Sequence, residues 1–250
     1  MIGTPNKKNQ KKKAVFNWSG GKDSALALQK ILEENEYEVV SLLTTINEQT
    51  RTSSIHSIPI ELLKLQAESI GIPLYTMTIT EDLRNYDHIM LKTVEHFKKQ
   101  GVTHFIFGDI FLEDVKTYRE KKLNPMGIEV VEPLWDKPSQ EVLTEFLKSR
   151  IKTKIIITQA DKLDKTFIGR DLDINTILLF PDDMDLCGEN GEYHTFAYAG
   201  SLFKKDIHFS LSTPKEISYD IRLDNGETKT YKYWQADISE KKLNFVETNN

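Results

Sequence analysis

Short apolar stretches alternate with longer amphipathic ones along the first two thirds of the chain. The short stretches are rich in Val, Ile, Leu, Phe and Thr, and the longer ones repeat apolar residues every three to four positions. The predicted strands cover residues 14–18, 37–46, 72–79, 103–107, 128–131 and 154–158. The predicted helices cover residues 25–32, 60–70, 82–100, 113–123 and 139–149. This alternation predicts an α/β fold in which a doubly wound parallel sheet carries helices on both faces.

The pattern changes near residue 161, where the segments become shorter and Asp and Gly become more frequent. Three β-like pieces follow, and Asn225-Gly226 between the last two is typical of a hairpin turn. These pieces cover residues 207–211, 217–223 and 228–234. The end of the chain therefore predicts a smaller C-terminal domain of the α+β class.

We divide the chain into a basic flexible tail at 1–13, a large domain at 14–160 and a smaller domain at 161–250. The tail has two interpretations, a solvated disordered terminus or an arm that touches RNA. Five lysines make it basic: Lys7, Lys8, Lys11, Lys12 and Lys13.

The turn between the first predicted strand and helix, Ser19-Gly20-Gly21-Lys22-Asp23-Ser24, has the features of an anion-binding loop. The first N–H groups of a helix have no partner within the helix, and the helix dipole adds positive partial charge there. The two glycines let the backbone approach an anion, Ser19 and Ser24 offer hydroxyl donors, and Lys22 adds a full charge. Asp23 suits either a helix N-cap or a metal that bridges a carboxylate and a phosphate. The loop lacks the glycine spacing of a Walker A motif.

Two further sets of polar residues carry candidate chemistry. Gly108-Asp109 ends the predicted fourth strand, and the carboxyl ends of parallel strands are where ligands bind. Asp109 is a candidate ligand for magnesium or ribose, with a helix cap as the alternative. Glu189, Glu192 and His194 lie within six residues and can accept protons from an ammonium ion. A β-turn with exposed acids is the alternative for that cluster.

Composition argues against several classes of function. The net charge of −5 argues against a dedicated nucleic-acid binder. No apolar run approaches the roughly 18 residues that span a bilayer, and no signal peptide is visible, so we expect a cytoplasmic protein with no membrane partner. The single cysteine, Cys187, excludes a disulfide framework and a multi-cysteine zinc site. We interpret it as structural rather than nucleophilic.

Four blocks of the sequence resemble one known family. The loop from Ser19 to Ser24 matches the SGGxDS signature of the PP-loop N-type ATP pyrophosphatases. With the blocks at 66–74, 108–120 and 187–196, the chain resembles the diphthine–ammonia ligase (diphthamide synthase, ATP-binding) family, in its bacterial-type branch. The last block, which reads CGENGEYHTF, is the most specific, and it favours functional glutamates over a turn with exposed acids.

The resemblance implies a HUP-type fold, with residues 14–160 as the PP-loop ATP-binding domain and residues 161–250 as the substrate side. It implies a ligase that adenylates a carboxylate and amidates it with ammonia, releasing AMP and pyrophosphate. ATP and Mg²⁺ are the implied cofactors, and ammonium and a carboxylate acceptor are the implied partners. In the family the acceptor is diphthine on translation elongation factor 2, and for a bacterial source the acceptor is open.

The local chemistry, together with the resemblance, gives expected roles to single residues. Asp23 is the expected Mg²⁺ ligand, and His194 accompanies the glutamates on the ammonia side. The expected catalytic residues are Lys22, Asp109, Glu189 and Glu192. The expected ATP contacts are Ser19, Gly20, Gly21, Lys22, Asp23, Ser24, Gly108 and Asp109.

Two other functions stay open at this point. A PP-loop tRNA-modifying enzyme would need paired cysteines for thiolation, or a basic RNA surface for lysidine-type chemistry. A non-catalytic adenine-nucleotide-binding module would need neither Lys22 nor the glutamate block. We recognise no glutaminase domain, so free ammonia is the expected nitrogen source. A homo-oligomer is also left open.

Overall fold

The computed structural model of the chain describes residues 11–54, 56–80, 85–222 and 227–241. The strands are β1 Lys12–Asn17, β2 Tyr37–Asn47, β3 Leu74–Ile79, β4 His104–Ile106, β5 Glu129–Val131, β6 Lys152–Gln159, β7 Tyr193–Ala199, β8 Phe209–Leu211, β9 Lys215–Arg222, β10 Thr228–Gln235 and β11 Ile238–Glu240. The α-helices are α1 Lys22–Glu34, α2 Ile60–Ile70, α3 Tyr86–Lys98, α4 Glu113–Leu123, α5 Ser139–Ser149 and α6 Ile174–Ile177. Two short 3₁₀ helices lie at Asn124–Met126 and Lys165–Phe167.

Five strands form a parallel sheet in the order β3-β2-β1-β4-β5. The chain starts in the centre with β1, moves outward through β2 and β3, and crosses back to β4 on the other side of β1. Such a reversal of direction opens a crevice at the carboxyl ends of the strands. The glycine loop follows β1 and Asp109 follows β4, so both lie at this crevice. The predicted α/β fold with a doubly wound parallel sheet is confirmed.

Side chains of β1 alternate between two hydrophobic cores, one on each face of the sheet. Ala14 and Phe16 pack into the core that includes α1, α2 and α5. Val15 packs into the other core, with α3 and α4. This alternation is the ordinary two-residue period of a strand. The first core continues through Ile155 and Phe196 into the second sheet, so one apolar layer joins the two sheets.

The second sheet is antiparallel, with the order β7-β6-β10-β9. The prediction that 154–158 continues the parallel sheet is wrong, because β6 pairs antiparallel with both β7 and β10. Its continuous apolar run is typical of any strand buried on both faces, so sequence alone does not tell which sheet it joins. The predicted smaller α+β domain is confirmed as an antiparallel-sheet unit. Its boundary at residue 160 stays a prediction.

The first strand begins earlier than predicted. Lys12 and Lys13 belong to β1 rather than to a flexible tail, and Lys12 Nζ lies 2.8 Å from Glu36. Pairing with β2 and β4 orders this part of the basic segment. Lys7, Lys8 and the predicted Asn225-Gly226 turn lie outside the described residues. In the part of the chain that the structure describes, no helix has the length and apolar character needed to cross a membrane.

Candidate active site

The glycine loop turns from β1 directly into α1. Gly20 has a φ of +85°, a left-handed conformation that favours glycine. A Cβ atom on Gly20 would lie 2.9 Å from side-chain atoms of both Gln66 and Ile58, so this turn is also tightly packed. Gly21 is the N-cap of α1, and no side chain caps it. Asp23 lies in the first helical turn, so the N-cap interpretation of Asp23 is wrong.

The two serine hydroxyls of the loop bond within the loop. Ser19 Oγ donates to Ser24 Oγ at 2.9 Å, and Ser24 Oγ lies 3.1 Å from the carbonyl oxygen of Gly21. The N–H of Gly21 donates to Ser19 Oγ at 3.3 Å. These bonds hold the turn in shape. The expected contacts of both hydroxyls with ATP stay a prediction.

Lys22 is buried, with 4% of its side chain exposed. Its ammonium lies 2.6 Å from the Asp23 carboxylate, donates to the carbonyl oxygen of Cys187 and lies 5.4 Å from the ring centre of Tyr193. Burial alone would lower the pKa of Lys22, but Asp23 and the other neighbouring groups raise it above its ordinary value. The Lys22 ammonium, which we expect to bind phosphate, therefore also joins the loop to the block at 187–196.

Strand β7 of the second sheet holds the loop from the other side. The N–H of Lys22 donates to Thr195 Oγ1 at 2.9 Å. The N–H of Ala197 donates to the carbonyl oxygen of Gly20 at 2.8 Å. One of the first N–H groups of α1 is thus satisfied by a residue far along the chain, which fixes the loop against the second domain.

Gln66 of α2 completes this clamp and is fully buried. Its amide nitrogen donates to the carbonyl oxygens of Gly20 at 3.0 Å and Ala197 at 2.6 Å. Its oxygen accepts the indole N–H of Trp18 at 2.8 Å. Gln66 was expected only as part of a family block, with no role. In the sequence, this polar network is indicated only by the position of Gln66 on the buried face of an amphipathic helix.

Gln66→Leu is expected to lower the free energy of unfolding by about 2–3 kcal/mol, because it leaves the indole N–H of Trp18 buried without a partner and removes one hydrogen bond from each of two buried carbonyl oxygens. It is also expected to weaken ATP binding, since the loop loses a support. Chemical denaturation and calorimetry measure the two effects. Gln140→Leu, at an exposed position on α5, is the matched control. Equal stability of the two variants would contradict this account.

The loop after β4 packs on the start of α1. A Cβ atom on Gly108 would lie 3.0 Å from the backbone nitrogen of Ser24, so only glycine allows this approach. Burial raises the pKa of Asp23, and the negative charge of Asp109 adds to the rise although Lys22 opposes it. A Cβ atom on Gly108 would also lie 3.1 Å from the backbone carbonyl carbon of Asp23, so the β4 loop brings Asp109 close to Asp23.

The block at 187–196 separates its two glutamates. Glu189 reaches the β4 loop, where its carboxylate accepts the N–H of Ile110 at 3.0 Å. Glu192 is buried and turns into its own loop, where it accepts the N–H groups of Asp185 at 3.2 Å and Asn190 at 3.0 Å. Glu189 therefore faces the crevice, whereas Glu192 holds the loop that carries it.

Glu189 lies in a strongly acidic environment. Burial, together with the negative charges of Asp23 and Asp109, raises its pKa to about 8, although Lys22 opposes the shift. Such a shift is typical of groups that exchange protons near neutral pH. Cys187 is different, because burial raises the pKa of its thiol to about 12 and leaves it protonated. The interpretation of Cys187 as a structural residue agrees with this burial.

Two family models match the chain. The model of the diphthamide synthase N-terminal domain matches residues 11–130, and the model of the diphthamide synthase C-terminal domain matches residues 138–239. The chain belongs to the diphthamide synthase family. The predicted family is therefore confirmed, while its bacterial-type branch stays a prediction.

The chain is similar to several curated proteins that are named diphthine–ammonia ligase. The rat protein is 27% identical over 215 residues, and the human protein is 26% identical over 219 residues. Each of these matches covers 76% of this chain and 79% of the relative. The fission yeast protein is 27% identical over 225 residues, which cover 80% of this chain and 36% of that longer relative. The prediction of a ligase-type enzyme is thereby confirmed.

His194 packs edge-on against His56, with ring centres 4.5 Å apart. His56 lies in the connection between β2 and α2. Burial, together with the charge of Lys22, lowers the pKa of His194 to about 4. Both rings are therefore neutral at pH 7. A base role for His194 stays a prediction, and its low pKa makes it a weaker base than Glu189.

Two carboxylates beside the glycine loop, those of Asp23 and Asp109, are of the type that binds magnesium. Among the described residues, no group of three His, Cys, Asp or Glu is placed to hold a metal ion. Mg²⁺ is usually held by one or two carboxylates together with phosphate oxygens and water. Asp23 and Asp109 offer such carboxylates, although Asp23 also pairs with Lys22. Asp23 as the magnesium ligand stays a prediction.

Proposed function

We propose that the protein uses ATP to adenylate a carboxylate and then amidates it with free ammonia, releasing AMP and pyrophosphate. One observation carries this proposal. The family-specific block touches the nucleotide loop directly, through Thr195 on the N–H of Lys22 and through the Cys187 carbonyl on its ammonium. A nucleotide on the loop would therefore lie beside Glu189.

The first half-reaction joins an acceptor carboxylate oxygen to the α-phosphorus of ATP, and pyrophosphate leaves. The positive end of α1 lies under the loop and favours the charge that develops on pyrophosphate. Magnesium, when bound, neutralises part of the triphosphate charge. Gly20 and Gly21 keep the backbone near that charge, and Lys22 adds positive potential from inside the loop.

The second half-reaction needs neutral ammonia near the acyl-adenylate. The carboxylates of Asp23 and Asp109 bring negative charge to the crevice, which attracts ammonium. We assign Glu189 the role of accepting the ammonium proton, because its environment favours the protonated carboxyl group. Ammonia then attacks the acyl carbon, AMP leaves with the bonding electrons, and the attacking nitrogen loses one further proton to solvent to give the neutral amide. Glu192 supports this step by holding the loop that carries Glu189.

The relatives' name points to the acceptor class. They are named for diphthine, so we propose a carboxylate on a modified protein side chain as the acceptor, as in diphthine on elongation factor 2. The tRNA-thiolation alternative gains no support, because the single thiol is buried and protonated.

The proposal is tested by incubating the protein with ATP, ammonium and elongation factor 2 that carries diphthine. We expect AMP rather than ADP, and mass spectrometry of the acceptor should show an amide in place of the carboxylate. Reactions without ammonium or without acceptor are the controls. ADP as the product, or AMP release that is indifferent to ammonium, would contradict an amide-forming ligase.

A further inference from the structure

Arg119 has no assigned role, yet both terminal nitrogens of its guanidinium contact the carboxylate of Asp109. It lies on α4, the helix that follows the β4 loop. Its Nη2 lies 3.3 Å from Asp109 Oδ1, and its Nη1 donates to Asp109 Oδ2. This fork-to-carboxylate geometry fixes both the position and the plane of the Asp109 carboxylate.

Arg119 is itself held from two further sides. Its guanidinium lies over the ring of Phe107, with 4.0 Å from its central carbon to the ring centre. Its Nη1 lies 3.4 Å from Oε1 of Glu132, which follows β5. Phe107 and Glu132 come from the ends of neighbouring strands, so the sheet edge itself determines where Arg119 lies.

Glu132 is an unusual partner for an ordinary structural ion pair. Only 2% of its side chain is exposed, and in the part of the chain that the structure describes Oε2 has no hydrogen-bond partner. Burial, with the charge of Asp109, raises the pKa of Glu132 to about 7, although Arg119 and Lys116 oppose the shift. Lys116 Nζ lies 3.8 Å from Oε2, too far for a hydrogen bond, so among the described residues one oxygen of this buried carboxylate has no donor and its burial costs stability. A structural role alone does not explain such a residue.

We propose that Arg119 and Glu132 are positioning residues for Asp109. Glu132 holds the guanidinium of Arg119 in place, and Arg119 holds the carboxylate of Asp109 towards the nucleotide loop. This inference rests on the proposed function, in which Asp109 meets ATP or its magnesium. Replacing a residue that orients a ligand-binding carboxylate commonly lowers affinity or activity about 10–100-fold.

The test is calorimetric ATP binding in the presence of Mg²⁺. Arg119→Lys keeps the charge but loses the planar fork, and we expect it to raise the dissociation constant about tenfold or more. Glu132→Gln keeps the side-chain shape and is expected to act in the same direction. Lys122→Met is the matched control, because Lys122 lies on the same helix but pairs with Asp87. Thermal unfolding of each variant checks that it is folded.

A double-mutant comparison separates positioning from a general loss of structure. If Arg119 acts through Asp109, Arg119→Lys should add nothing to the effect of Asp109→Asn. Additive effects of Arg119→Lys and Asp109→Asn on ATP affinity would overturn the inference. Normal ATP binding by Arg119→Lys and Glu132→Gln, together with weak binding by Asp109→Asn, would also overturn it. Normal binding by Asp109→Asn itself would instead count against the proposed role of Asp109. If Arg119→Lys fails to fold, the same comparison is made with Glu132→Gln and Asp109→Asn.

Discussion

Glu189→Gln is expected to lower ammonium-dependent product formation about 10²–10⁴-fold while ATP affinity stays nearly unchanged. The substitution keeps the side-chain size and its bond to the N–H of Ile110, but it removes the group that accepts a proton. AMP release with ammonium and the acceptor measures turnover, and calorimetry measures nucleotide binding. Loss of ATP binding would place Glu189 in the nucleotide site instead.

Hydroxylamine provides a chemical control for this prediction. It is largely unprotonated at pH 7, so its attack on the acyl-adenylate does not require a base that removes a proton first. Hydroxamate formation should therefore survive in Glu189→Gln. Equal loss with both nucleophiles would contradict proton removal as the role of Glu189. The same substitution at Glu192 is expected to lower stability, ATP binding and turnover together, because its carboxylate holds the loop.

The raised pKa of Glu189 also gives stability a defined pH dependence. The folded protein holds this proton up to about pH 8, whereas the unfolded chain releases it near the ordinary value of 4.5. The contribution of Glu189 to folding is therefore most favourable below pH 4.5 and is lost as the pH rises through about 8. The stability of Glu189→Gln relative to the natural protein should increase between pH 5 and pH 9. Denaturant titrations across that range measure this difference.

Lys22→Met is expected to lower the free energy of unfolding by about 3 kcal/mol, because it removes one partner of a largely buried ion pair. It leaves the Asp23 carboxylate without its cation and the carbonyl of Cys187 without a donor. ATP affinity is expected to fall by about 1–3 kcal/mol as the loop loses positive charge. Chemical denaturation and calorimetry measure the two losses separately.

The double variant Lys22→Met with Asp23→Asn is the control for the ion pair. It removes both charges, so part of the lost stability should return, whereas ATP affinity should not. Normal stability of Lys22→Met with weakened ATP binding would mean that Lys22 acts on phosphate alone. Unchanged nucleotide affinity would contradict a contribution of Lys22 to the ATP site.

Local sequence signals predicted much of the fold. The helices at 60–70, 113–123 and 139–149 have the bounds that were predicted. Gly71, in the left-handed conformation, ends α2, and Pro138 immediately precedes α5. The sheet membership of β6 was not predictable in the same way. It depends on which strands pair with β6, and its partners lie about 40 and 80 residues later in the chain.

The site was predictable where local sequence carries the chemistry. The loop from Ser19 to Ser24 and Asp109 could be placed, because a strand, a turn and a helix determine where they lie. The clamp by Gln66 and the fork of Arg119 could not be predicted. Both depend on hydrogen bonds to atoms of distant elements, and neither residue differs locally from an ordinary helical residue.

The clamp on the nucleotide loop has a consequence for the newly made chain. The bond from Lys22 to Thr195 joins residues 173 positions apart. Until Thr195 and Ala197 have emerged from the ribosome, the loop lacks both partners that β7 provides, although the loop is synthesised well before β7. The nascent chain therefore carries the glycine motif for some time before β7 can hold it in place, and this part of the fold is completed late.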